Sequence, residues 1–306
     1  MRTLNFDSNK PLLYLIATPI GNMQEVSQRT LDILNEIDLV ACEDTRVSGK
    51  FLNLLGISKP LISLREHNET VVSREIVEKI LGGTKVAYMS DAGYPCISDP
   101  GARLVRICLE NEINVTSVSG PNAALNALVA SGLVSDHFYF HGFLDAKESI
   151  KLEELRQLHD RKETLIFYEA PHRIQKTLQS MFNIFGNRKA CIARELTKKH
   201  EEFIRDNLEN LCEIDPETLK GEMVIVVEGS LGEIKPDLNN DEIIKMVKAM
   251  VEGGIKIVEL NIVNESIYDA INEISKIATV AAGGVITGQQ ATKALRRFRQ
   301  RALSRA

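Results

Sequence analysis

Polar residues that could take part in catalysis or binding recur in short clusters, and each cluster directly follows an apolar run. The clusters hold carboxylates, guanidinium groups and two imidazoles, which can move protons or bind phosphates. Ligands of open α/β sheets bind at the carboxyl ends of the strands, so this placement indicates a binding site. The clusters cover residues 18–22, 43–46, 65–68, 90–101, 119–123, 169–173 and 194–198.

Residues 90–101 form the densest of these clusters. Twelve residues contain two prolines, two glycines and two aspartates. This is more turn chemistry than a single connection between a strand and a helix needs. The composition therefore predicts a rigid loop that presents its backbone groups to a small ligand.

Four other clusters allow a functional and a structural interpretation each. Gly21 would let a ligand approach the backbone of residues 18–22, but an ordinary tight turn has the same composition. Residues 119–123 would offer backbone N–H groups to a carboxylate, although an ordinary helix start looks similar. Residues 169–173 and 194–198 place arginine beside glutamate, which fits either a salt bridge or contact with a substrate.

The remaining charged clusters also leave both interpretations open. Glu43, Asp44 and Arg46 follow one predicted strand, and such charges are costly unless they are paired or used. A helix cap with a surface ion pair would explain them equally well. Arg65 and His67 follow the next strand and bring a second cation and an imidazole to the same edge.

Several common catalytic signatures are absent from the sequence. It contains no G-x-G-x-x-G, no G-x-x-x-x-G-K-[ST], no H-E-x-x-H and no G-x-S-x-G. Nicotinamide, nucleoside-triphosphate, zinc-protease and serine-hydrolase chemistry therefore lack support. The five cysteines are scattered without a C-x-x-C pair, which indicates a reducing cytosol and gives no reason to expect a metal.

Apolar runs in the first part of the chain alternate with helical patterns. This alternation predicts a parallel sheet with helices on both faces. The predicted strands are residues 12–17, 39–42, 61–64, 86–89 and 115–118. The predicted helices are residues 27–37, 51–55, 71–81 and 100–110.

The pattern restarts near residue 120, which predicts a second α/β domain with a mixed sheet. Short connections between its last strands favour antiparallel pairing. The predicted strands are residues 138–143, 164–168, 190–194, 202–205 and 222–228, and the predicted helices are 122–131, 150–159 and 171–182. A polar break at 237–240 precedes a section that we expect to be helical. The expected domains are residues 1–119, 120–232 and 233–306.

Composition and charge limit the class of protein. A chain of 306 residues with 44% hydrophobic and 26% charged residues is typical of a soluble protein of about two domains. The longest apolar runs are about six residues, whereas a membrane span needs roughly 20. We expect no secretory signal and a cytoplasmic location.

The net charge of −5 is unevenly distributed. Residues 274–306 carry seven basic residues and no acidic one, which leaves −12 on residues 1–273. Affinity for polyanions comes mostly from neutralised phosphates, so a nucleic-acid substrate would have to meet local basic patches.

Nine segments between residues 11 and 229 resemble the ribosomal RNA small subunit methyltransferase I family. They are LYLIATPIGNMQEVSQRTLDIL, ACEDTR, REHNE, SDAGYPCISDPG, SGPNAAL, FHGFL, FYEAPHR, ARELTKKHEE and GEMVIVVEG. That family is similar in fold to the tetrapyrrole methylases, which have two α/β domains around a cleft. Tetrapyrrole methylases carry a glycine-rich first loop and Gly-Asp-Pro where this chain has Ser90-Asp91-Ala92, which favours the RNA-modifying branch. The resemblance is faint over residues 247–274, and residues 279–306 are not recognised as part of it.

The resemblance implies methylation, by S-adenosylmethionine, of the ribose 2′-hydroxyl of a cytidine in the decoding centre of 16S rRNA. It also implies a homodimer and a methyl donor that lies between the two α/β domains. The positions that match the donor-binding segments of the family are Thr18, Pro19, Gly21, Asn22, Asp91, Ala92, Gly93, Pro95, Ser119, Gly120, Ala123, Tyr168, Ala170, Met223 and Val224.

The same reaction assigns expected roles to the charged clusters. The candidates for a general base are Glu43, Asp44, His67 and Glu169. We rank Glu43 and Asp44 first, because they lie one strand over from the donor loop. The residues expected to hold RNA phosphates are Arg46, Arg65, Arg173, Arg194 and Lys198, since the planar guanidinium fork suits that task.

Two other functions remain open at the level of the sequence. A small-molecule methyltransferase of the same fold would act on a porphyrinoid or another soluble acceptor. A non-catalytic assembly factor would bind the small ribosomal subunit and ignore the methyl donor. Binding of the methyl donor distinguishes the main hypothesis from an assembly factor. The choice of acceptor distinguishes it from a small-molecule methyltransferase.

Overall fold

A computed structural model of the chain describes residues 10–231, 240–254, 257–261, 273–274, 276 and 279–283. Contacts between Cα atoms divide the chain into two units, residues 1–232 and residues 233–306. The first unit contains two five-stranded sheets and all the polar clusters identified in the sequence.

The first sheet is parallel, as the sequence predicts. Its strands are β1 (Leu12–Ile16), β2 (Leu39–Cys42), β3 (Leu61–Ser63), β4 (Val86–Met89) and β5 (Asn114–Val118), in the spatial order β3-β2-β4-β1-β5. The helices that follow the first four strands are α1 (Gln28–Glu36), α2 (Thr45–Leu54), α3 (Glu69–Leu81) and α4 (Ala102–Glu110). Every residue of β4, the central strand, is buried, which explains its continuous apolar sequence.

Helix α2 begins six residues before the predicted start at residue 51. The side chain of Asp44 accepts a hydrogen bond from the backbone N–H of Arg46 and caps the helix. Thr45, Val47 and Gly49 are weak helix formers. The sequence of this first turn therefore does not show the pattern that predicts a helix. The charged cluster 43–46 therefore spans the end of a strand and the start of a helix.

The second sheet is mixed, again as predicted. Its strands are β6 (Phe138–Phe143), β7 (Thr164–Glu169), β8 (Lys189–Arg194), β9 (Glu202–Asn207) and β10 (Met223–Val227), in the order β6-β7-β10-β8-β9. Strands β6 and β7 are parallel, and the other pairs are antiparallel. The helices are α5 (Ala123–Ser131), α6 (Glu148–Leu158), α7 (Ile174–Phe185) and the unpredicted α8 (Leu208–Cys212).

Both faces of the second sheet are covered by apolar side chains. One face packs Phe167 and Ile225 against α6, α7 and α8, and the other packs Ile166 and Val226 against α5. Ile20, in the loop after β1, packs against this second cluster. The loop after the first strand of one sheet thus reaches the core of the other.

The second unit contains α9 (Asn240–Glu252), β11 (Ile257–Asn261) and β12 (Thr279–Gly283). The two strands pair in parallel, so the prediction of a purely helical section is wrong at these residues. Their β-branched residues favour an extended chain. Residues 284–306, which include most of the basic tail, lie outside the described residues. Within the described ranges, no helix has the length and apolar character that crossing a membrane requires.

Candidate active site

A cleft of about 480 Å³ lies where the loops of the two sheets meet in the first unit. This volume is in the range of sites that bind small molecules or cofactors. The loops after β1, β2, β4 and β5 contribute from the first sheet, and β6, β7, β10 and the loop after β8 contribute from the second. The lining residues are Ile20, Glu43, Asp91, Ala92, Gly93, Tyr94, Ile97, Ser98, Asp99, Asn122, Ala123, Phe143, Tyr168, Glu169, Ala170, Pro171, Leu196, Glu222, Met223 and Val224.

The loop after β4 is held in place by specific backbone contacts. Thr18 and Gly93 exchange two backbone hydrogen bonds, of 2.9 and 3.0 Å, which tie this loop to the end of β1. The buried Tyr88 donates its hydroxyl proton to the carbonyl of Pro100 at 2.7 Å. The Gly101 backbone has φ +120°, and a Cβ there would lie 2.2 Å from the Tyr88 ring. These contacts support the predicted rigid loop.

Three carboxylates from the first sheet line the cleft. Burial is the largest cause that raises the pKa values of Glu43, Asp91 and Asp99 above their ordinary range. Mutual repulsion adds to this effect, because Asp91 and Asp99 raise the pKa of Glu43 and Asp91 raises that of Asp99. Such a cluster is stabilised by a bound cation.

The second sheet contributes several apolar and aromatic side chains to the cleft. Phe143 and Tyr168 lie edge to face, with ring centroids 5.5 Å apart. Leu196, Met223 and Val224 continue this surface. A flat aromatic group would find contact area here, and the carboxylates of the same cleft would attract a positively charged group joined to it.

Glu169 lines the cleft, but its carboxylate is already engaged. It accepts hydrogen bonds from the Thr177 hydroxyl at 2.5 Å and from the backbone N–H of Ala170 at 2.8 Å. The Nε of Arg173 lies 3.2 Å from the same carboxylate. These contacts fix the turn before α7, so the arrangement favours a structural role for Glu169.

Asp44, unlike its neighbour Glu43, is not among the cleft-lining residues. Its carboxylate caps α2 and binds the side chain of Arg46. The hydrogen bond from the Arg46 side chain, with a further one from the Arg46 backbone, holds the pKa of Asp44 well below its usual range. A carboxylate with so low a pKa is a weak proton acceptor.

The other candidates for base and phosphate contacts are dispersed around the site. His67 is exposed in the short 3-10 helix Glu66–Asn68 and does not line the cleft. Arg173 donates to the carbonyl of Leu144 at 2.6 Å. Arg194 pairs with Glu202.

Lys198 binds two carboxylates, those of Glu195 and Glu222, each at 2.9 Å. Its aliphatic stem covers Gly21, where a Cβ would lie 2.4 Å from the Lys198 Cγ. Lys198 therefore ties the loop after β1 to the second sheet.

The residues expected to bind the donor fall into three groups. Those that line the cleft are Asp91, Ala92, Gly93, Ala123, Tyr168, Ala170, Met223 and Val224. Thr18, Pro19 and Gly21 line a neighbouring pocket of about 210 Å³ that shares Asp91. Those that line neither pocket are Asn22, which caps the 3-10 helix Met23–Glu25, Pro95, Ser119 and Gly120.

Several residues that line the cleft are not among the site residues predicted from the sequence. Asp99 and Ser98 lie in the turn-rich loop that the composition singles out, so a reading of every polar residue there would have found them. Phe143 and Leu196 lie in the segments FHGFL and ARELTKKHEE, but a single apolar side chain gives no chemical reason to expect a place in the cleft.

Comparison with known proteins agrees with this architecture. A model of the family described as Tetrapyrrole (Corrin/Porphyrin) Methylases matches residues 12–212. The methyltransferase CobJ is similar in structure, with a TM-score of 0.55 and 17% identity over 72% of this chain and 94% of that one. Diphthine synthase has a TM-score of 0.54 and 14% identity over 72% and 91% of the two chains. The fold and the cleft define a methylase of the tetrapyrrole methylase type.

Curated relatives are more specific. The ribosomal RNA small subunit methyltransferase I of Bacillus subtilis is 42% identical over 79% of this chain and 80% of the relative. The protein of the same name from Haemophilus influenzae is 47% identical over 76% and 82% of the two chains. The chain belongs to the ribosomal RNA small subunit methyltransferase I family, and it is a methyltransferase that uses S-adenosylmethionine.

The residues of the cleft fit this methyl donor. S-adenosylmethionine carries a positively charged sulfur, an ammonium group, and an adenine ring. Glu43, Asp91 and Asp99 supply negative charge in a partly dehydrated site, where attraction to a cation is stronger than in water. Phe143 and Tyr168 supply the apolar surface that a nucleobase requires.

Proposed function

We propose that this chain methylates the ribose 2′-hydroxyl of a cytidine in the decoding centre of 16S rRNA. The observation that carries the proposal is the carboxylate of Glu43, which lines the cleft next to the rim arginines Arg46 and Arg65. Relatives named ribosomal RNA small subunit methyltransferase I support the choice of acceptor.

The donor is held by the cleft residues in this proposal. When bound, S-adenosylmethionine supplies a methyl group on a positively charged sulfur, and transfer leaves S-adenosylhomocysteine. Asp91 and Asp99 balance the positive charge. The aromatic pair Phe143 and Tyr168 takes the adenine side, and the backbone around Gly93 and Ala123 completes the wall.

Glu43 is the proposed general base. A ribose hydroxyl is a weak nucleophile at neutral pH, and a positioned base contributes about 10²–10⁴-fold to the rate. The raised pKa of Glu43 makes its carboxylate a better proton acceptor than an exposed glutamate. Glu43 accepts the 2′-hydroxyl proton as the ribose oxygen forms its bond to the methyl carbon.

Alignment of the two substrates contributes more than the base in this account. Holding reactants in position can supply up to about 7–11 kcal/mol of the barrier. Arg46 and Arg65 are exposed near Glu43 and suit a backbone phosphate of the acceptor. Arg173, Arg194 and Lys198 are weaker candidates for phosphate contacts, because each is already paired with a carboxylate.

The domain, oligomer and location assignments are part of the same proposal. Residues 1–119 and 120–232 act as the two halves of the methyltransferase, and residues 233–306 form a separate section. We propose a homodimer, as the family resemblance implies, and a cytoplasmic location, where the enzyme would meet the small ribosomal subunit.

The test is transfer of labelled methyl from S-adenosylmethionine to small ribosomal subunits that lack this modification. Label recovered as 2′-O-methylated cytidine after nuclease digestion is the expected result. Parallel reactions with protein-free 16S rRNA and with a porphyrinoid acceptor separate the alternatives. Transfer to the porphyrinoid alone would overturn the RNA assignment, and donor binding without transfer to any acceptor would overturn both.

A further inference from the structure

The carboxylate of Asp44 contacts two arginine side chains at the rim of the cleft. Its Oδ1 accepts from the Nε of Arg46 at 3.0 Å, and its Oδ2 accepts from the Nη2 of Arg46 at 2.5 Å. The Nη2 of Arg65 lies 3.6 Å from the same Oδ2. One acidic side chain therefore brings two guanidinium groups together.

The rim is connected to the cleft through backbone atoms. The N–H of Asp44 donates to the Oδ1 of Asp91 at 3.2 Å, and the Nε of Arg65 donates to the carbonyl of Glu43 at 3.2 Å. Asp91 and Glu43 both line the cleft. The positions of the two arginines are thus fixed relative to the residues proposed to hold the donor and the base.

Both guanidinium groups keep donors available for a ligand. The side chain of Arg46 is 85% exposed and that of Arg65 is 45% exposed. In the part of the chain that the structure describes, neither Nη1 has a hydrogen-bond partner. Guanidinium groups bind phosphate oxygens through pairs of parallel N–H donors. These donors can therefore bind a phosphate while Asp44 keeps its contacts with Arg46 and Arg65.

We propose that Asp44 is a positioning residue that holds Arg46 and Arg65 as a pair to receive a backbone phosphate of the RNA acceptor. The inference rests on the proposed function, since it assumes an RNA acceptor at this cleft. It assigns Glu43 and Asp44 different tasks: Glu43 accepts the proton, and Asp44 acts through the two arginines.

Asp44 can affect RNA binding in two opposite ways, so the direction in which the affinity changes on its substitution tests the proposal. Removal of a negative charge strengthens binding to RNA if Asp44 only competes with phosphate. Release of two long side chains weakens binding if Asp44 orders them in advance, by about 2- to 10-fold for each side chain. We expect the second effect to dominate, because Arg46 is held through both its Nε and its Nη2.

The test uses Asp44→Asn in the full chain. Asparagine still caps a helix as well as aspartate does, so α2 is retained, and thermal unfolding checks this. Affinity for modification-free small ribosomal subunits is measured by filter binding at several KCl concentrations, together with kcat and acceptor KM. The matched control is Glu153→Gln, which breaks an exposed pair with Arg156; neither residue lines the cleft.

We expect Asp44→Asn to weaken subunit binding and raise acceptor KM by about 3- to 30-fold, with kcat and donor affinity nearly unchanged. In an Arg46→Ala/Arg65→Ala background, the same substitution should have no further effect. Glu153→Gln should match the wild type in every measurement.

The outcomes separate this inference from the proposed function. If the wild type methylates the subunits and Asp44→Asn binds them equally or more tightly, the positioning role is overturned and the function stands. The positioning role is also overturned if Asp44→Asn lowers kcat at saturating acceptor. The same holds if Asp44→Asn still weakens subunit binding in the Arg46→Ala/Arg65→Ala background. If the wild type transfers no methyl group, the proposed function fails. The positioning role of Asp44 is then judged by filter binding alone, and equal affinity of the wild type and Asp44→Asn for the subunits overturns it.

Discussion

The backbone N–H of Asp44 donates to the side chain of Asp91 at 3.2 Å, which joins the end of β2 to the loop after β4. Asp44 and the preceding residue, Glu43, are both acids, but their environments differ. Glu43 lines the cleft, and its pKa is raised by burial. Asp44 faces Arg46, and its pKa is lowered. Glu43 alone is therefore the proposed base.

The first prediction concerns the pH dependence of methyl transfer. A general base acts only when deprotonated, so kcat/KM should fall as pH falls through the raised pKa of Glu43. The inflection should lie above the ordinary range for a glutamate. Glu43→Gln should remove it and lower single-turnover rates by about 10²-fold or more, with a smaller effect on donor affinity.

Asp44→Asn is the comparison for this prediction, because it should keep the inflection. An unchanged single-turnover rate in Glu43→Gln would rule Glu43 out as the base. The rate is measured with subunits and donor both saturating.

The second prediction concerns the charge of the donor. Opposite charges about 6 Å apart attract by about 0.7–3 kcal/mol at effective dielectric constants between 80 and 20. Asp99→Asn should therefore raise the Kd for S-adenosylmethionine roughly tenfold. The Kd for S-adenosylhomocysteine, whose sulfur is neutral, should rise less. Calorimetric titration of both ligands checks this, and equal losses would show that Asp99 does not sense the sulfonium.

The third prediction concerns the loop after β4. Gly101→Ala combines a positive φ with a contact of 2.2 Å to the buried Tyr88 ring, and we expect a loss of about 3–5 kcal/mol in the free energy of unfolding. Gly83 has φ +94° and open space around it, so Gly83→Ala should cost only about 1 kcal/mol. Urea denaturation measures both, and similar losses would contradict the role of the Tyr88 contact.

The fourth prediction concerns Glu169, a candidate base in the sequence. Its contacts with Thr177, Ala170 and Arg173 favour a structural role. Glu169→Ala should lower the free energy of unfolding by about 2–4 kcal/mol, because it leaves buried partners unpaired. Glu163→Ala, which breaks the more exposed pair with Arg161, should cost less than about 1 kcal/mol.

Activity measured well below the unfolding temperature completes this test. If Glu169→Ala keeps its stability but loses turnover at all pH values, Glu169 has a chemical role that the structural interpretation does not include.

Most of the fold was predictable because its strands are short apolar runs between turn signals. β2, β4 and β6 begin and end where the sequence predicts. The predicted start of α2 at residue 51 was wrong, because its first turn contains weak helix formers. The only signal for the true start was the structural alternative for residues 43–46, a helix cap with a surface ion pair, which the structure shows at Asp44. The pairing of β11 with β12 was missed, since parallel strands far apart in sequence leave no local pattern.

The site was predictable in its location and less so in its details. Polar clusters after strands converge at one edge of a parallel sheet, and this rule identified Glu43 and the loop with Asp91. The different environments of Glu43 and Asp44 could not be predicted from two adjacent acids in the sequence, because they depend on which backbone N–H groups and arginines surround each carboxylate. Phe143 reaches the cleft from a distant strand.

The most direct test of the central claim is the position of the methyl group in the RNA. Subunits methylated by the wild type are digested with nuclease, and the labelled fragment is analysed by mass spectrometry. The account predicts one 2′-O-methylated cytidine in a fragment of the decoding centre, with none formed by Glu43→Gln in the same time. A methyl group on a base, or label in another region of the RNA, would contradict it.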